Sequence, residues 1–229
     1  NDLGLGALEA LGVEFLAAGG RRVSPPVPAR WPEIVRLGGK LMPGLPPIRI
    51  ACDVTNPLLG PRGAAATYGP QKGLRPGDLA RLDHEAARLA LMLGEKFGRS
   101  DDLMDLPGAG AAGGISFGLM AAAGAELLPG FDLVSAWLDL EARLARADVV
   151  ITGEGRFDDS SLQGKGPGAV AARALKLGKI VHVFAGRATA AQPPAGLTLH
   201  SITPGDLPLE QALPRAAEFL DRSVRQTFA

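Results

Sequence analysis

The sequence predicts an α/β protein whose carboxyl-terminal part, from about residue 145, forms a parallel sheet. Short apolar runs suited to buried strands occur at residues 149–152, 180–185 and 197–202, and a helical pattern at residues 169–177 separates the first two. This alternation is typical of consecutive βα units, which pair their strands in parallel. The composition permits a folded core, because 46% of the 229 residues are hydrophobic and 21% are charged.

The amino-terminal part predicts a different succession of elements. A hairpin is expected over residues 13–23, and an alternating segment predicts a strand that ends at Val54. Helices are predicted at residues 2–11, from Asp78 as an N-cap to about residue 93, at residues 115–123 and at residues 133–144. In the final amphipathic segment, Pro214 predicts a helix that kinks or begins late.

Charge and cysteine content exclude several classes of protein. Lys plus Arg and Asp plus Glu number 24 each, so no global field favours nucleic acid or an anionic membrane surface. No apolar run approaches the roughly 18 residues that cross a bilayer. The single cysteine, Cys52, excludes an internal disulfide and fits a cytoplasmic location. The three histidines have no partner at metal-ligand spacing, so structural roles are expected for them.

The first candidate site is the stretch DVTNPLLGPRGAAATYGPQKG at residues 53–73. A strand end delivers Asp53 and Asn56 into a glycine-rich loop, and Gln71 and Lys72 add an amide and a point charge. Small residues let backbone N–H groups approach an anion, so this mixture suits a phosphate or a carboxylate. The alternative is a surface loop in which Asp53 and Asn56 make local turn hydrogen bonds.

The second candidate is GAGAAGG at residues 108–114, which has the spacing of a dinucleotide fingerprint. Its preceding segment is acidic and ends in Pro107, so no convincing buried strand feeds the turn. The backbone of Gly108, Gly110 and Gly113 could bind a phosphate at a helix start, or these small residues could serve close packing. A nicotinamide-dependent oxidoreductase is a rival interpretation of this loop.

The third candidate is TGEGRFDDSSLQGKGPG at residues 152–168, beyond the end of a predicted parallel strand. Ligands of open parallel sheets collect at such strand ends. A carboxylate there can hold magnesium or accept a proton from a hydroxyl, and Lys165 can bind a transferring phosphate. Clustered Glu154, Asp158 and Asp159 repel one another unless something positive compensates, although a solvated acidic turn remains the alternative.

Four motifs together carry a resemblance to a known family. They are NPLLGP, GPQKG, PGAGAAGG and ITGEGR with its following Asp and Gly-Lys, and they occur in the same order along nearly the whole chain. The sequence resembles the bacterial two-domain glycerate kinases of the glycerate 2-kinase type. The resemblance implies phosphorylation of D-glycerate by ATP with Mg²⁺ as the helper ion. The usual family product is 2-phosphoglycerate, and 3-phosphoglycerate is the other product considered.

The resemblance also implies the architecture of the two domains. It predicts a Rossmann-like parallel-sheet domain, of which residues 145–229 are the carboxyl-terminal part, and an inserted α/β domain at residues 1–144. Family members begin with a strand and an acidic loop that this sequence lacks. Their Asn-Asp-Gly-Gly segment corresponds to NDLG at residue 1, so Asn1 and Asp2 match and Leu3 does not. The chain therefore resembles only the later part of a family member, and the Rossmann-like domain is expected to be incomplete.

The resemblance assigns expected roles to the candidate residues. Asp53 and Glu154 are expected to hold magnesium or orient the substrate hydroxyl, and Asp158 is a further metal candidate. Lys72 and Lys165 are expected to bind anions. The remaining substrate- or phosphate-binding candidates are Asn1, Asp2, Asn56, Gln71, Gly108, Gly110, Gly113, Thr152, Gly153, Gly155 and Arg156.

Three alternatives remain beside this expected function. They are a non-catalytic ligand-binding fragment or module of the same family, a kinase of a related small hydroxy acid, and the oxidoreductase. The expected partners are D-glycerate and ATP, with a homo-oligomer as a further expectation and no nucleic acid or membrane.

Overall fold

The computed structural model describes residues 1–163 and 166–229 of the chain. They form two compact units, Asn1–Gly130 and Phe131–Ala229. The boundary lies earlier than the one predicted after residue 144. The reason is that Leu144, in the segment before the parallel strands, is buried in the core of the second unit, so this segment belongs to that unit.

The first unit is built from short strands and helices. In chain order it contains α1 (Leu5–Ala10), β1 (Val13–Leu16), β2 (Arg36–Gly39), β3 (Arg49–Ala51), α2 (Ala64–Tyr68), α3 (Leu79–Phe97), α4 (Ala111–Ala123) and β4 (Glu126–Leu128). Strand β1 pairs antiparallel with β2, and β3 pairs in parallel with β4. The strand predicted to end at Val54 ends at Ala51.

The predicted hairpin at residues 13–23 is reduced to one bridge between Leu16 and Arg22. Pro25 and Pro26 follow at once, and proline has no N–H to extend a ladder. The chain therefore turns away after Val23, and β2 becomes the partner of β1.

Helix α3 confirms the predicted amphipathic pattern, since Leu82, Ala86, Leu89 and Leu93 are all buried. Asp78 precedes the helix, but its side chain makes no capping hydrogen bond; the carboxylate accepts from Arg81 instead, at 3.0 Å. Asp78 therefore occupies the predicted N-cap position, but its side chain does not cap the helix.

Helix α4 has an irregular start. Ala112, Gly113 and Gly114 all have positive φ angles, so the regular turns begin after Gly114, close to the predicted start at residue 115. The rest of the helix is nearly all buried, and Phe117 and Ala121 pack into the core of the first unit together with Trp31 and Leu89.

The second unit holds the predicted parallel sheet. Its elements are α5 (Gly130–Trp137), α6 (Leu140–Arg146), β5 (Val149–Phe157), α7 (Gly166–Lys176), β6 (Ile180–Ala188), β7 (Leu197–Ser201), α8 (Leu209–Ala212) and α9 (Ala216–Phe228). The first residue of α5, Gly130, still belongs to the first unit. The strands pair in parallel in the order β5-β6-β7, so the α/β fold with a parallel sheet is confirmed. The helix predicted at residues 133–144 is two helices, because Asp139 takes a left-handed φ of 50° between them.

The two faces of this sheet differ. Val150, Val181 and Val183 share one face and pack with Ala171 and Ala174 of α7 in a buried cluster. On β6 the alternate residues His182 and Phe184 point to the other face, as expected from the two-residue period of a strand. There they meet Phe228 of α9, whose ring centroid lies 4.9 Å from that of His182.

Strand β5 is longer than the sequence predicted. Residues 153–155 were expected to form a turn, but Gly153 and Glu154 pair with β6 and the ladder resumes at Arg156 and continues to Phe157 and Ala188. Gly153 is required there, since a Cβ on it would lie 2.2 Å from the carbonyl oxygen of Phe184. In this segment glycine permits close strand approach and does not form a turn.

The carboxyl-terminal segment begins its long helix late, as Pro214 predicted. Helix α8 ends at Ala212, a 3₁₀ turn follows at Leu213–Arg215, and α9 begins at Ala216. Within the described ranges 1–163 and 166–229, no helix combines the length and apolarity needed to cross a bilayer.

Candidate functional site

Glu154 is the chemically most unusual residue of the second unit. It lies in β5, and its Oε1 is buried without a hydrogen-bond partner among the described residues. A buried carboxylate oxygen without a partner loses its hydration and receives nothing in exchange, at a cost of about 1–3 kcal/mol. Such an atom is therefore suited to a cation or to a donor supplied by a ligand.

A cavity of about 560 Å³ lies beside the carboxyl ends of the parallel strands. Glu154, Gly155 and Arg156 of β5 line one side, and Gly186 and Arg187 of β6 continue it. The opposite side comes from the segment after β7 and from the helices α8 and α9. The volume lies within the roughly 300–1,000 Å³ that is usual for small-molecule sites.

The remaining acidic groups of this segment have partners. Asp158 accepts from the Ser160 hydroxyl at 2.5 Å and pairs with Arg156 at 3.2 Å. The hydrogen bond from the Ser160 side chain, joined by the Ser160 backbone N–H and the Arg156 charge, holds the pKa of Asp158 below its ordinary value. Asp159 accepts from the backbone N–H of Ala191 at 3.1 Å. The repulsion expected in this acidic cluster is thus largely offset, and Glu154 is the member left without a hydrogen-bond partner at Oε1.

Thr152 and Gly153 precede Glu154 in β5, where Thr152 pairs with Val183 and Gly153 with Phe184. The predicted site residues of β5 therefore follow one another along one paired strand. Lys165, predicted to bind phosphate, lies outside the described residues.

In the first unit, Asn56 links two of the predicted loops. Its amide donates to the carbonyl of Arg62 at 2.7 Å and to the Thr67 hydroxyl at 3.1 Å, and its Oδ1 accepts from Tyr68 at 3.0 Å. Its backbone carbonyl accepts from the N–H groups of Gly108 and Gly110. The structure thus brings the loop after β3 and the GAGAAGG loop together, and both ends of the Asn56 side chain are engaged in protein contacts.

The glycines of GAGAAGG allow close approach of neighbouring backbone. A Cβ on Gly110 would lie 2.1 Å from the carbonyl oxygen of Pro57, and one on Gly113 would lie 2.7 Å from Oδ1 of Asn1. The N–H of Gly113 donates to the carbonyl of Gly110. Since the N–H groups of Gly108, Gly110 and Gly113 all have carbonyl partners within the protein, these three groups do not form an anion cradle in this conformation.

Asn1 and Asp2 lie against this loop. The Asn1 amide donates to the carbonyl of Ala64 at 3.1 Å, and Asn1 Oδ1 is buried without a hydrogen-bond partner in the described part of the chain. Asp2 Oδ1 accepts from the N–H of Gly4 at 3.0 Å. Asn1 Oδ1 in the first unit and Glu154 Oε1 in the second unit are thus both buried oxygens without a hydrogen-bond partner among the described residues.

The other predicted residues of the first unit are placed as follows. Asp53 Oδ1 accepts from the N–H of Gly130 at 2.8 Å. Gln71 and Lys72 are exposed on the 3₁₀ turn Pro70–Lys72 after α2. The residues predicted to bind substrate, phosphate or metal are therefore divided between the two units.

No three His, Cys, Asp or Glu side chains among residues 1–163 and 166–229 converge as a metal site. A magnesium ion here would accordingly take few protein ligands and several from water or phosphate, which is its usual preference in proteins.

Sequence reasoning missed part of the cavity wall. Arg187, Leu207, Leu209 and Leu213 line the cavity, but none was selected. The leucines carry no sequence signal beyond the apolar positions of an amphipathic segment. Arg187 follows a predicted strand end on β6, the neighbour of β5, so its place at a strand end was the available signal.

The parallel β5–β7 sheet, with a cavity at its carboxyl end and a carboxylate oxygen that has no partner among the described residues, defines an α/β protein with a candidate ligand site at its strand ends. Comparison with known proteins identifies the family. The profile of the glycerate kinase family matches residues 1–229, and the chain belongs to that family.

Individual relatives agree with the family match. The chain is 38% identical to a glycerate kinase of Bacillus subtilis (strain 168), over 100% of this chain and 61% of the relative. It is 41% identical to the glycerate 2-kinase of Escherichia coli (strain K12), over 82% and 50% of the two chains. A crystal structure described as glycerate kinase 2 from Salmonella typhimurium LT2 matches with a TM-score of 0.72 and 35% identity, over 100% of this chain and 61% of that one. The chain thus spans about 61% of the length of the first of these relatives.

Proposed function

We propose that this protein is a cytoplasmic glycerate kinase that transfers a phosphoryl group from ATP to D-glycerate with Mg²⁺, and that the product is 2-phosphoglycerate. Membership of the glycerate kinase family supports the reaction class. In architecture, we assign Phe131–Ala229 to the Rossmann-like domain and Asn1–Gly130 to the inserted domain, because the former holds the three-stranded parallel sheet β5-β6-β7, whereas the parallel sheet described in the latter has the two strands β3 and β4.

The observation that carries the proposal is the buried Oε1 of Glu154, which has no hydrogen-bond partner among residues 1–163 and 166–229. Phosphoryl transfer requires a carboxylate that holds magnesium or orients the attacking hydroxyl, and either task would satisfy this oxygen. Asp158 is less suited, because Ser160 and Arg156 already occupy its two oxygens. Asp53 keeps its proposed role as a second carboxylate, with one oxygen oriented by the N–H of Gly130.

The protein's task in this reaction is positioning and charge neutralisation. Magnesium, when bound, would neutralise charge on the phosphate oxygens. Glu154 would hold the ion or orient the glycerate hydroxyl. Lys72, which makes no ion pair with a described residue, would bind an anionic group, and Lys165 is proposed for the same purpose.

A coupled assay for ADP with D-glycerate and ATP tests the activity, and ³¹P NMR of the product separates the 2-phosphate from the 3-phosphate. We expect Glu154→Gln to lower kcat/KM about 100-fold, the scale of a positioned catalytic carboxylate. Lys72→Ala is expected to lower it about ten-fold through lost anion binding.

The matched control is Glu126→Gln, since Glu126 is exposed on β4, and normal activity is expected. Absence of ADP formation with glycerate would refute the proposed reaction. A higher rate with another small hydroxy acid would instead identify a related kinase. Normal kcat/KM in both Glu154→Gln and Lys72→Ala would refute their assigned roles.

A further inference from the structure

Another cavity, of about 530 Å³, lies in the first unit where the helices α3 and α4 both end. Gly98 and Gly124 take left-handed φ angles of 64° and 65° and terminate the two helices there. The volume lies within the roughly 300–1,000 Å³ that is usual for small-molecule sites. None of the residues that line this cavity is among the predicted site residues, so the proposed reaction leaves the cavity without a role.

The floor of this cavity is apolar. Met120 and Ala125 are buried, and Leu103 and Leu127 are half-buried and pack against the core of the first unit. At the rim, Leu106 is 40% exposed. Such a lining favours a ligand with an apolar body, because binding removes apolar surface from water at a gain of about 25 cal/mol per Å².

Arg99 supplies the charge of the cavity. Its Nε donates to the carbonyl of Ala121 at 3.4 Å, in the last turn of α4, where the negative end of the helix dipole favours a cation. Its Nη2 lies beside Gly124, 2.8 Å from the position that a Cβ would take. A glycine at the end of α4 therefore leaves the space that the guanidinium occupies.

The guanidinium of Arg99 is available to a ligand. Among residues 1–163 and 166–229, its Nη groups make no hydrogen bond or ion pair, and no carboxylate lines this cavity. A planar guanidinium binds a carboxylate through two parallel hydrogen bonds. One such group beside an apolar floor suits a monocarboxylate with an apolar body. D-Glycerate carries a hydroxyl on each of its other carbons, so it would gain little from this floor.

The wall of the cavity is connected to two loops of the candidate site. The 3₁₀ turn that carries Leu103 ends at Met104, whose carbonyl accepts from the N–H of Leu58 in the NPLLGP loop at 2.8 Å. Leu127 lies beside the first glycine of GAGAAGG, since a Cβ on Gly108 would be 3.4 Å from its Cδ1. A ligand on these leucines would therefore restrain the segments that border both loops.

We propose that this cavity binds a small monocarboxylate with an apolar body, and that the bound ligand regulates the protein by restraining the NPLLGP and GAGAAGG loops. The carboxylate pairs with Arg99, and the apolar body covers Leu103, Leu106 and Met120. The inference goes beyond the proposed function, because this ligand is neither the substrate nor the phosphoryl donor of that reaction.

An NMR titration of the full chain, labelled at the methyl groups of leucine and methionine, provides the measurement. Phenylacetate is the probe. Phenylacetamide has the same shape without the charge, whereas acetate and D-glycerate have the charge without the apolar body. In the wild type, phenylacetate should shift the methyl signals of Met120 and Leu127, with a dissociation constant at least about ten-fold lower than those of the other three compounds.

Two variants separate the contacts of the ligand. Arg99→Gln should weaken phenylacetate binding about ten-fold and leave phenylacetamide binding unchanged, which also shows that the variant keeps its fold. Leu106→Ser should weaken the binding of both compounds about three-fold. The matched controls are Arg36→Gln, at an exposed arginine of β2, and Leu91→Ser, at a leucine of α3 that is 47% exposed. Neither lines the cavity, so both should bind phenylacetate as the wild type does.

Hydrogen exchange of the Leu58 amide tests the connection to the loops, because this N–H donates to Met104. Saturating phenylacetate should slow its exchange several-fold, and acetate should leave it unchanged. The absence of methyl shifts in the wild type at about 10 mM phenylacetate would overturn the site, and so would equal phenylacetate affinities of Arg99→Gln and the wild type. Binding with unchanged exchange at Leu58 would overturn the regulation through the loops.

Discussion

Nδ1 of His182 lies 2.9 Å from Nε2 of His200, with the two rings stacked across neighbouring parallel strands. Phe184 stacks on His200 at 4.3 Å between ring centroids, and the edge of Phe228 meets His182. One imidazole nitrogen must donate and the other accept at this distance, so the accepting ring must be neutral at that nitrogen. The histidines are therefore structural, as the sequence predicted.

This pair predicts a loss of stability in mild acid. Burial, and then the charge of His182, lower the pKa of His200 from its ordinary value of 6.5. Below pH 6.5 the unfolded chain binds a proton that the folded protein still refuses, so unfolding becomes easier. Stability should be constant with respect to this group above pH 6.5 and should fall as the pH drops from 6.5 through the folded-state pKa.

Urea unfolding between pH 8 and pH 5 checks this, with His200→Gln as the informative variant. Its unfolding free energy should depend less on pH than that of the wild type. His84→Gln, in α3 of the first unit, is the control and should keep the wild-type slope. An identical pH dependence in His200→Gln and wild type would contradict the prediction.

The buried oxygen of Glu154 predicts a conflict between stability and activity. Replacing Glu154 with Leu removes a carboxylate oxygen that has no hydrogen-bond partner in the part of the chain that the structure describes. We expect the unfolding free energy to rise by about 1 kcal/mol while the proposed glycerate kinase activity is lost. Urea unfolding at pH 7.5 measures the first effect.

The corresponding change at exposed Glu126, Glu126→Leu, should shift stability by no more than about 0.5 kcal/mol. A lower stability of Glu154→Leu would contradict the prediction, because it would mean that the carboxylate already receives a stabilising partner in the folded protein.

Gly110 predicts a steric requirement in the GAGAAGG loop. Its φ of −81° and ψ of −2° are open to alanine, so the obstacle is steric: a Cβ would lie 2.1 Å from the Pro57 carbonyl oxygen and 3.2 Å from the Ala64 nitrogen. Gly110→Ala should therefore lower stability by about 2 kcal/mol or more. Gly77→Ala, with open space around it, is the control in thermal and urea unfolding. Equal stabilities of the two variants would show that the loop moves aside at no cost.

A structural feature could be predicted from the sequence where residues close together along the chain determine it. Strands β5, β6 and β7 were predicted because each contains a short, continuous apolar run, and such runs are typical of buried strands in parallel sheets. The continuation of β5 through residues 153–157 was not, because glycine usually indicates a turn. Here it permits the close approach of Gly155 and Gly186, where a Cβ on Gly186 would lie 2.4 Å from the Gly155 carbonyl oxygen. Only the neighbouring strand reveals that requirement.

The candidate site shows the same limit. Glu154 could be selected from the sequence because a carboxylate after an apolar run is chemically unusual. The exposure of Leu209 and Leu213 could not, because an amphipathic pattern predicts that such leucines face a core. The roles of the GAGAAGG glycines were left open between phosphate binding and packing. The contacts of Gly110 and Gly113 favour packing in this conformation.

The hydrogen bond from Tyr68 to Asn56 predicts that substitutions at these two residues are not additive. Tyr68→Phe removes the hydroxyl that donates to Asn56 Oδ1 at 3.0 Å and should cost about 1 kcal/mol. Asn56→Ala also breaks the bonds to the Arg62 carbonyl and Thr67, and should cost more, about 2 kcal/mol. Since the Tyr68 bond is already lost in Asn56→Ala, the double variant should be about 1 kcal/mol less destabilised than the sum of the single variants.

Urea unfolding of the wild type, the two single variants and the double variant measures this coupling. Gly77→Ala combined with Tyr68→Phe is the control pair, because a Cβ on Gly77 would meet nothing within 4 Å, and the effects of the two substitutions should add. Full additivity of the Asn56 and Tyr68 substitutions would mean that the bond between these two side chains makes no net contribution to stability.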